Sequence, residues 1–354
     1  MDTKAVFKKQ YLEELEAREN LTLAPAAQLS KETLGRNYEA SPEDMRPVYQ
    51  RDKDKILHSK AFRRLSHKTQ VFLAPEGDHY RTRLTHTLEV SQIARTITRA
   101  LGLNEDLTEA IAYGHDLGHT PFGHTGEFAL SRALARYRGI NPDYNEVGLL
   151  YKHNLQSVRL VEKLENNGKG LNLTREVVDG IKCHTGKTRA KTYEGRIVAT
   201  SDRIAYVCHD IDDAIRANLL TEENLPESTH KVLGKTSSER ISSMVHDMVE
   251  TSFKEGDIKM SEEVWAAMME LREFLFNRVY TSSDAKKEEP KALRMIEQLF
   301  DYYIDHYDEV PDDYKIYPED DASTQVTDYI AGMTDRYAIS KYQELFIPRA
   351  WRLK

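Results

Sequence analysis

Apolar residues in this 354-residue chain recur every three or four positions and almost nowhere every two, which commits most of it to helix and leaves little material for a sheet. Leu88, Val90, Ile93, Ala94, Ile97 and Leu101 form one such stripe, and Gly102 is placed to end the helix. The next stripe opens at Asn104, a residue type that caps helix N-termini. It carries Glu105 and Asp106 in the first turn, where the helix dipole favours acid, and runs through Leu107, Ala110 and Ile111 to His115. Residues 127–137, 154–165, 174–184 and 195–218 follow the same pattern, as does a later helix with Leu293, Ile296, Phe300, Tyr303 and Ile304 along its apolar side. The reading is an all-α helical bundle with a C-terminal helical extension. It divides into an N-terminal helical segment (1–45), a core (46–220) and a C-terminal helical region packed on that core (221–354), with a polar stretch at Ser282–Pro290 and an acidic one at Pro311–Asp321 as joints.

Hydrophobic residues at 40% and charged residues at 31% are the balance of a chain that folds around a core. The formal net charge of -8 argues against a surface built to hold nucleic acid, since that binding needs net basic surface. Cys183 and Cys208, in no CxxC pattern, indicate neither a disulfide scaffold nor a thiolate zinc site. Met1–Leu23 alternates charge with apolar residues and lacks the apolar run of a signal peptide, and no segment approaches a membrane span. A soluble, cytoplasmic protein with no membrane partner is expected.

Two loops interrupt the helical pattern beside histidines: Leu73–His79 and Leu117–Gly126. Seven of the 13 histidines lie between His58 and His124, and His115, His119 and His124 share one ten-residue stretch with Asp116. Neutral imidazoles and carboxylates without thiolates suit one divalent ion such as Mg²⁺, Mn²⁺, Fe²⁺ or Zn²⁺. His115 continues the face of Leu107 and Ile111, so it points inward. Alone it reads more readily as a buried histidine satisfied by hydrogen bonds. The adjacent Asp116 shifts the balance, because a buried carboxylate needs a cation or a metal. Two further ligands can be proposed from helical positions, His86 on the preceding helix and Asp202 on the helix over 195–218; Asp202, Tyr206 and Asp210 share one face of theirs, whose other reading is an amphipathic helix with its Asp residues turned to water.

His86, the pair His115–Asp116, and Asp202 resemble the metal signature of the HD phosphohydrolase superfamily. The longer strings RDKDKILHSKAFRRLSHKTQVF (51–72), RTRLTHTLEVSQIAR (81–95), HDLGHTPFGHTGE (115–127), SDRIAYVCHDIDDAI (201–215) and DYIAGMTDRYA (328–338) resemble the deoxyguanosine triphosphate triphosphohydrolase family. That resemblance implies hydrolysis of a deoxynucleoside triphosphate (dNTP) at the α-phosphate to deoxynucleoside and intact triphosphate. It implies His124 as the catalytic histidine, Glu127 orienting it, and His119 on the α-phosphate. Arg83, His153 and Arg203 are implied near the phosphates. Gln70, Tyr206 and Asp210 are implied around the sugar, where the tyrosine ring leaves no room for a 2′-hydroxyl. The resemblance further implies a homo-oligomer, tetramer or hexamer, and a dNTP as activator as well as substrate.

The basic residues Arg63, Arg64, Lys68, Lys182, Lys187, Arg189 and Lys191 are read as a set that meets the outer phosphates, although solvated surface charge is the ordinary role of each. Two other readings stay open at this level: an HD-type nucleotidase or phosphodiesterase, and a regulatory HD protein that senses nucleotides without hydrolysing them. Base preference is not legible.

Overall fold

The computed structural model describes residues 3–39, 45–70, 81–140, 150–280 and 288–348. Among them there is no strand; Thr69 and Thr82 form an isolated bridge. The Leu73–His79 loop, and the part of the Ser282–Pro290 stretch up to residue 287, lie outside the described residues. The helices are α1 (Thr3–Thr22), α2 (Val48–Leu57), α3 (Lys60–Arg64), α4 (Arg83–Ala100), α5 (Glu105–Gly114), α6 (Gly123–Tyr137), α7 (His153–Arg159), α8 (Arg175–Cys183) and α9 (Tyr193–Arg216). They continue with α10 (Glu227–Leu233), α11 (Ser237–Glu255), α12 (Glu262–Leu275), α13 (Glu289–Asp305), α14 (Ala322–Ala331) and α15 (Asp335–Phe346), with short 3₁₀, π and distorted turns between some of them. The chain is all-α, as its apolar periodicity requires, and no described helix is long and apolar enough to cross a membrane.

The caps follow the sequence. Asn104 accepts a hydrogen bond from the Leu107 amide at the start of α5, and Gly102 sits at φ +67° just past α4. Two boundaries differ from expectation. Residues 154–165 do not form one α-helix: α7 gives way to a π turn at Leu160–Leu164, then to left-handed Asn166 and Asn167, a conformation asparagine tolerates. The helix read as 127–137 begins four residues earlier, at Gly123. His124 and Glu127 therefore stand one turn apart on α6 rather than in a loop.

Buried side chains form two cores. The larger gathers Ile56, Ile93, Ile111, Ile181, Val198, Ile211, Met244 and Leu271, and so draws on α2, α4, α5, α8, α9, α11 and α12. The smaller joins Leu130 and Leu134 of α6 to Ile296 and Phe300 of α13, Val326 and Ile330 of α14, and Ala338 of α15. The segment between α5 and α6 runs from one core to the other, with Leu117 packed in the first and Phe122 in the second. Burying each such side chain stabilises the fold by roughly 1.5–3 kcal/mol, so both ends of this segment are firmly held.

Candidate metal centre and active site

Close helix approach assembles the centre. A Cβ on Gly114 would meet Ile181 Cδ1 at 2.3 Å, and one on Gly180 would meet Ile111 Cδ1 at 2.4 Å, so α5 and α8 pack at a distance only glycines allow. This brings His115, at the end of α5, edge-on to His184, at the end of α8, with ring centroids 5.0 Å apart. His86 enters from the first turns of α4 and Asp202 from α9, both of which pack on α5.

The His115 ring is fully buried, and its Nδ1 lies 2.6 Å from the Ala112 carbonyl oxygen, to which it donates. Its Nε2 therefore carries the lone pair. That atom is buried without a hydrogen-bond partner among the described residues and lies 3.6 Å from Asp116 Oδ1 and 3.8 Å from Asp202 Oδ1. His86 Nε2 is 3.0 Å from Asp202 Oδ1 and 4.0 Å from Asp116 Oδ2. His86, His115 and Asp116 form a group able to hold a metal ion. Donors about 2.0–2.2 Å from one ion lie about 3 Å from each other, so the two imidazoles and the Asp116 carboxylate of this group suit a divalent cation, with Asp202 Oδ1 beside them. The unpartnered Nε2, facing two carboxylates, is an atom that an all-protein arrangement leaves unexplained.

Charge around the set is arranged in layers. Arg83 Nη1 pairs with Asp116 Oδ2 at 2.8 Å, and both side chains are buried. Burial pushes the Asp116 carboxyl up, but its neighbours His115, His119 and Arg83, with the hydrogen bond to His119, outweigh it and hold the group well below the usual carboxylate range. Asp202 is likewise held low, its burial overcome by the hydrogen bond from His86 and by the neighbouring His115. Burial, reinforced by Arg83 and His153, keeps His119 well below its ordinary value, and its Nε2 faces Asp116 Oδ1 at 3.3 Å. His119 stacks on His153 at 4.0 Å between centroids.

On the outer side Glu127 serves two histidines, with its Oε2 3.3 Å from His124 Nδ1 and 3.1 Å from His153 Nδ1. Burial would raise the Glu127 carboxyl, but these two hydrogen bonds keep it ionised, well below its usual range. The same bond raises His153 against its burial. His124 has a 67% exposed side chain, so its ring stands open to solvent beyond the bond to Glu127. Behind the site His184 donates from Nδ1 to the Ile181 carbonyl at 2.7 Å and receives the His153 Nε2 hydrogen at 3.2 Å; burial, with His115 and His153 nearby, lowers it to about 3.

The segment carrying His115, Asp116 and His119 is fixed through its backbone. Ser157 Oγ donates to the His115 carbonyl and accepts from the Gly118 amide, each at 2.8 Å. Tyr151 Oη donates to the Gly118 carbonyl at 2.6 Å, and the buried Lys68 ammonium donates to the carbonyl of His119. A Cβ on Gly118 would strike the His153 carbonyl and the Ser157 amide at 2.3 Å, so this approach of α7 requires glycine.

Along α9, Arg203 Nη1 donates to the Ala199 carbonyl one turn back at 2.8 Å. Tyr206 and the buried Asp210 are hydrogen-bonded to each other. Tyr206 borders a cleft of about 680 Å³ with Ala266, Met269, Arg272, Glu273 and Phe276. Gln70 presents a buried Oε1 with no partner among the described residues. Burial, then the neighbouring Asp213, raise the Asp210 carboxyl well above its ordinary 3.8. The folded chain thus keeps a proton that the unfolded chain releases above about pH 4, and this site weakens folding as pH rises from there. Asp210→Asn, which mimics the protonated acid, is expected to raise the thermal midpoint relative to wild type at pH 8 and to lose that advantage at pH 4; a pH series of melting curves reads it.

The residues singled out in the sequence converge in large part: His86, His115, Asp116, Asp202, Arg83, His119, His124, Glu127 and His153 form one connected cluster. The basic set does not act as one. Lys68 is buried against two carbonyls, and Arg189 pairs with Asp257 at 2.7 Å. Two contributors were missed. His184 stands three residues after Ile181 and seven after Val177, the same inward helix-end position that marks His115. Asp335 lies within a quoted string but nothing local marks it.

Residues 83–207 match the HD domain, and residues 258–344 match the phosphohydrolase-associated domain. A deoxyguanosinetriphosphate triphosphohydrolase-like protein of Caldanaerobacter subterraneus is 52% identical over 347 residues, covering 97% of each chain. Its namesake from Clostridium tetani is 45% identical over 94% of this chain and 95% of that one, and one from Geobacter metallireducens is 36% identical over 94% and 97%. With the HD signature residues gathered in one buried centre, the chain belongs to the deoxyguanosinetriphosphate triphosphohydrolase-like family of HD-domain proteins.

Proposed function

We propose that this chain is a metal-dependent dNTP triphosphohydrolase, releasing deoxynucleoside and intact triphosphate. The observation that carries the reading is the unpartnered, buried Nε2 of His115 facing Asp116 and Asp202, with His86 beside them. When bound there, a divalent ion (Mg²⁺, Mn²⁺, Fe²⁺ or Zn²⁺) supplies positive charge to the α-phosphoryl oxygens and acidifies a water molecule.

The protein's own groups complete the chemistry. Water attacks the α-phosphorus and the bond to the 5′-oxygen breaks. His124, held through Nδ1 by Glu127, presents its other nitrogen to protonate that oxygen as it leaves. Arg83 and His119 meet the α-phosphate beside Asp116, and His153 holds Glu127 in place. Arg203, whose Nη1 is bonded to the Ala199 carbonyl on α9, would turn from that bond to meet the phosphates. Gln70 and Asp210 bind the 3′-hydroxyl, and the Tyr206 ring lies under the deoxyribose, excluding a 2′-hydroxyl. A homotetramer or homohexamer with a dNTP activator belongs to the same reading and is measured by sedimentation with and without dNTPs.

Product analysis tests the proposal. Each of the four dNTPs, alone and mixed, is incubated with Mg²⁺, Mn²⁺ or Fe²⁺ and the products are resolved by anion exchange. Deoxynucleoside and triphosphate in equal amounts are expected. Orthophosphate or pyrophosphate instead would point to a nucleotidase or phosphodiesterase, and binding without turnover would point to a sensor.

A further inference from the structure

Among the contacts of the phosphohydrolase-associated region with the catalytic segment is a buried carboxylate. Asp335, in the first turn of α15 and 3% exposed, accepts from the Phe122 amide through Oδ1 at 3.0 Å. Its Oδ2 accepts from the Thr69 amide at 2.9 Å and from the Thr69 hydroxyl at 2.7 Å. Three donors from two distant segments thus end on one side chain. One turn of chain earlier, the Ala331 carbonyl accepts from Lys68 Nζ at 2.8 Å, and the same ammonium donates to the His119 carbonyl.

The places these bonds reach are informative. Phe122 has φ +61°, a left-handed conformation that a bulky residue adopts only when its surroundings hold it there, and it is the N-cap of α6, two residues before His124. Its side chain makes no capping bond. Thr69 precedes Gln70, and the Lys68 carbonyl accepts from the Arg83 amide at 3.0 Å. Bonds to Asp335 therefore set the start of the helix that aims His124 and the backbone next to Gln70.

We infer that Asp335 is a positioning residue for the reaction. Through the Phe122 and Thr69 amides it holds the His119–His124 segment and Gln70 in register, so that the C-terminal region completes the active site without touching substrate. The inference rests on the dNTPase reading for its kinetic consequence, but its structural part stands apart from it. Asparagine is the discriminating replacement: it keeps the volume and one acceptor, yet must turn an N–H₂ toward donors on one side.

The test compares wild type with D335N, both loaded with Mn²⁺, and with T69V, which removes only the Thr69 hydroxyl bond. Measured are kcat and KM on a dNTP, Mn²⁺ affinity, thermal midpoint and amide hydrogen exchange. For D335N the expectation is a 30-fold or greater fall in kcat with KM within about 3-fold, Mn²⁺ affinity within about 3-fold, and a midpoint lowered by a few degrees at most. Exchange should accelerate at residues 68–70 and 118–124 and not in α4 or α9. T69V should lie between the two. Unchanged kcat overturns the inference, and so does a loss of activity accompanied by faster exchange throughout the chain and lost Mn²⁺ binding, which would mark Asp335 as general scaffolding. If wild type turns over no dNTP, the functional reading fails and the exchange measurement alone decides: acceleration confined to those segments supports the clasp, and its absence overturns it.

Discussion

His115→Ala is expected to lower turnover by roughly 10³-fold or more and to weaken Mn²⁺ binding by at least about 100-fold, with the helical fold retained. The imidazole is fixed by its Nδ1 bond to Ala112, so only Nε2 faces Asp116 and Asp202. Alanine removes that donor and one of the neighbours that hold the two carboxylates low. The fold tolerates this because the lost ring also carried a buried, unpartnered nitrogen, whose removal offsets part of the cavity left behind. Calorimetric titration with Mn²⁺, circular dichroism and the product assay on one preparation give all three quantities. Full turnover in this variant would remove His115 from the ligand set.

His124→Gln is expected to behave differently, with kcat falling roughly 10²- to 10⁴-fold while Mn²⁺ affinity and KM stay near wild type. His124 is exposed, bonds to Glu127 and does not touch the proposed ligands. Its loss removes a proton donor and leaves the metal set intact. A parallel fall in Mn²⁺ affinity would place His124 among the ligands instead, a role its group with Glu127 and His153 makes worth testing. The two variants thus separate metal binding from proton transfer by a pair of measurements.

Much of this arrangement was readable because it is local. Periods of three and four gave the helices, Asn104 and Gly102 their ends, and the position of His115 after Leu107 and Ile111 its inward direction. The partnership of His86 with Asp202 spans 116 residues, and no spacing rule connects them; family resemblance did. Where side chains departed from their usual role, local reasoning failed. Lys68 is read from the sequence as one of a basic set that meets the outer phosphates, because lysine rarely enters a core. Here two backbone carbonyls take its hydrogens, and burial lowers it to about 7. The start of α6 was misplaced because Gly123 and Gly126 were read as helix breakers. A Cβ on Gly126 would strike the Pro121 carbonyl at 2.0 Å, so glycine there serves a close turn that a helix accommodates. Asp335 was invisible, since its partners lie 266 and 213 residues away.

Anomalous diffraction at the manganese edge from crystals grown with Mn²⁺ examines the founding assumption without relying on catalysis. A single peak per chain is predicted, bounded by His86 and His115 imidazole nitrogens and by Asp116 and Asp202 oxygens. A map with no peak between those four side chains, or with its peak seated elsewhere in the chain, would contradict the account.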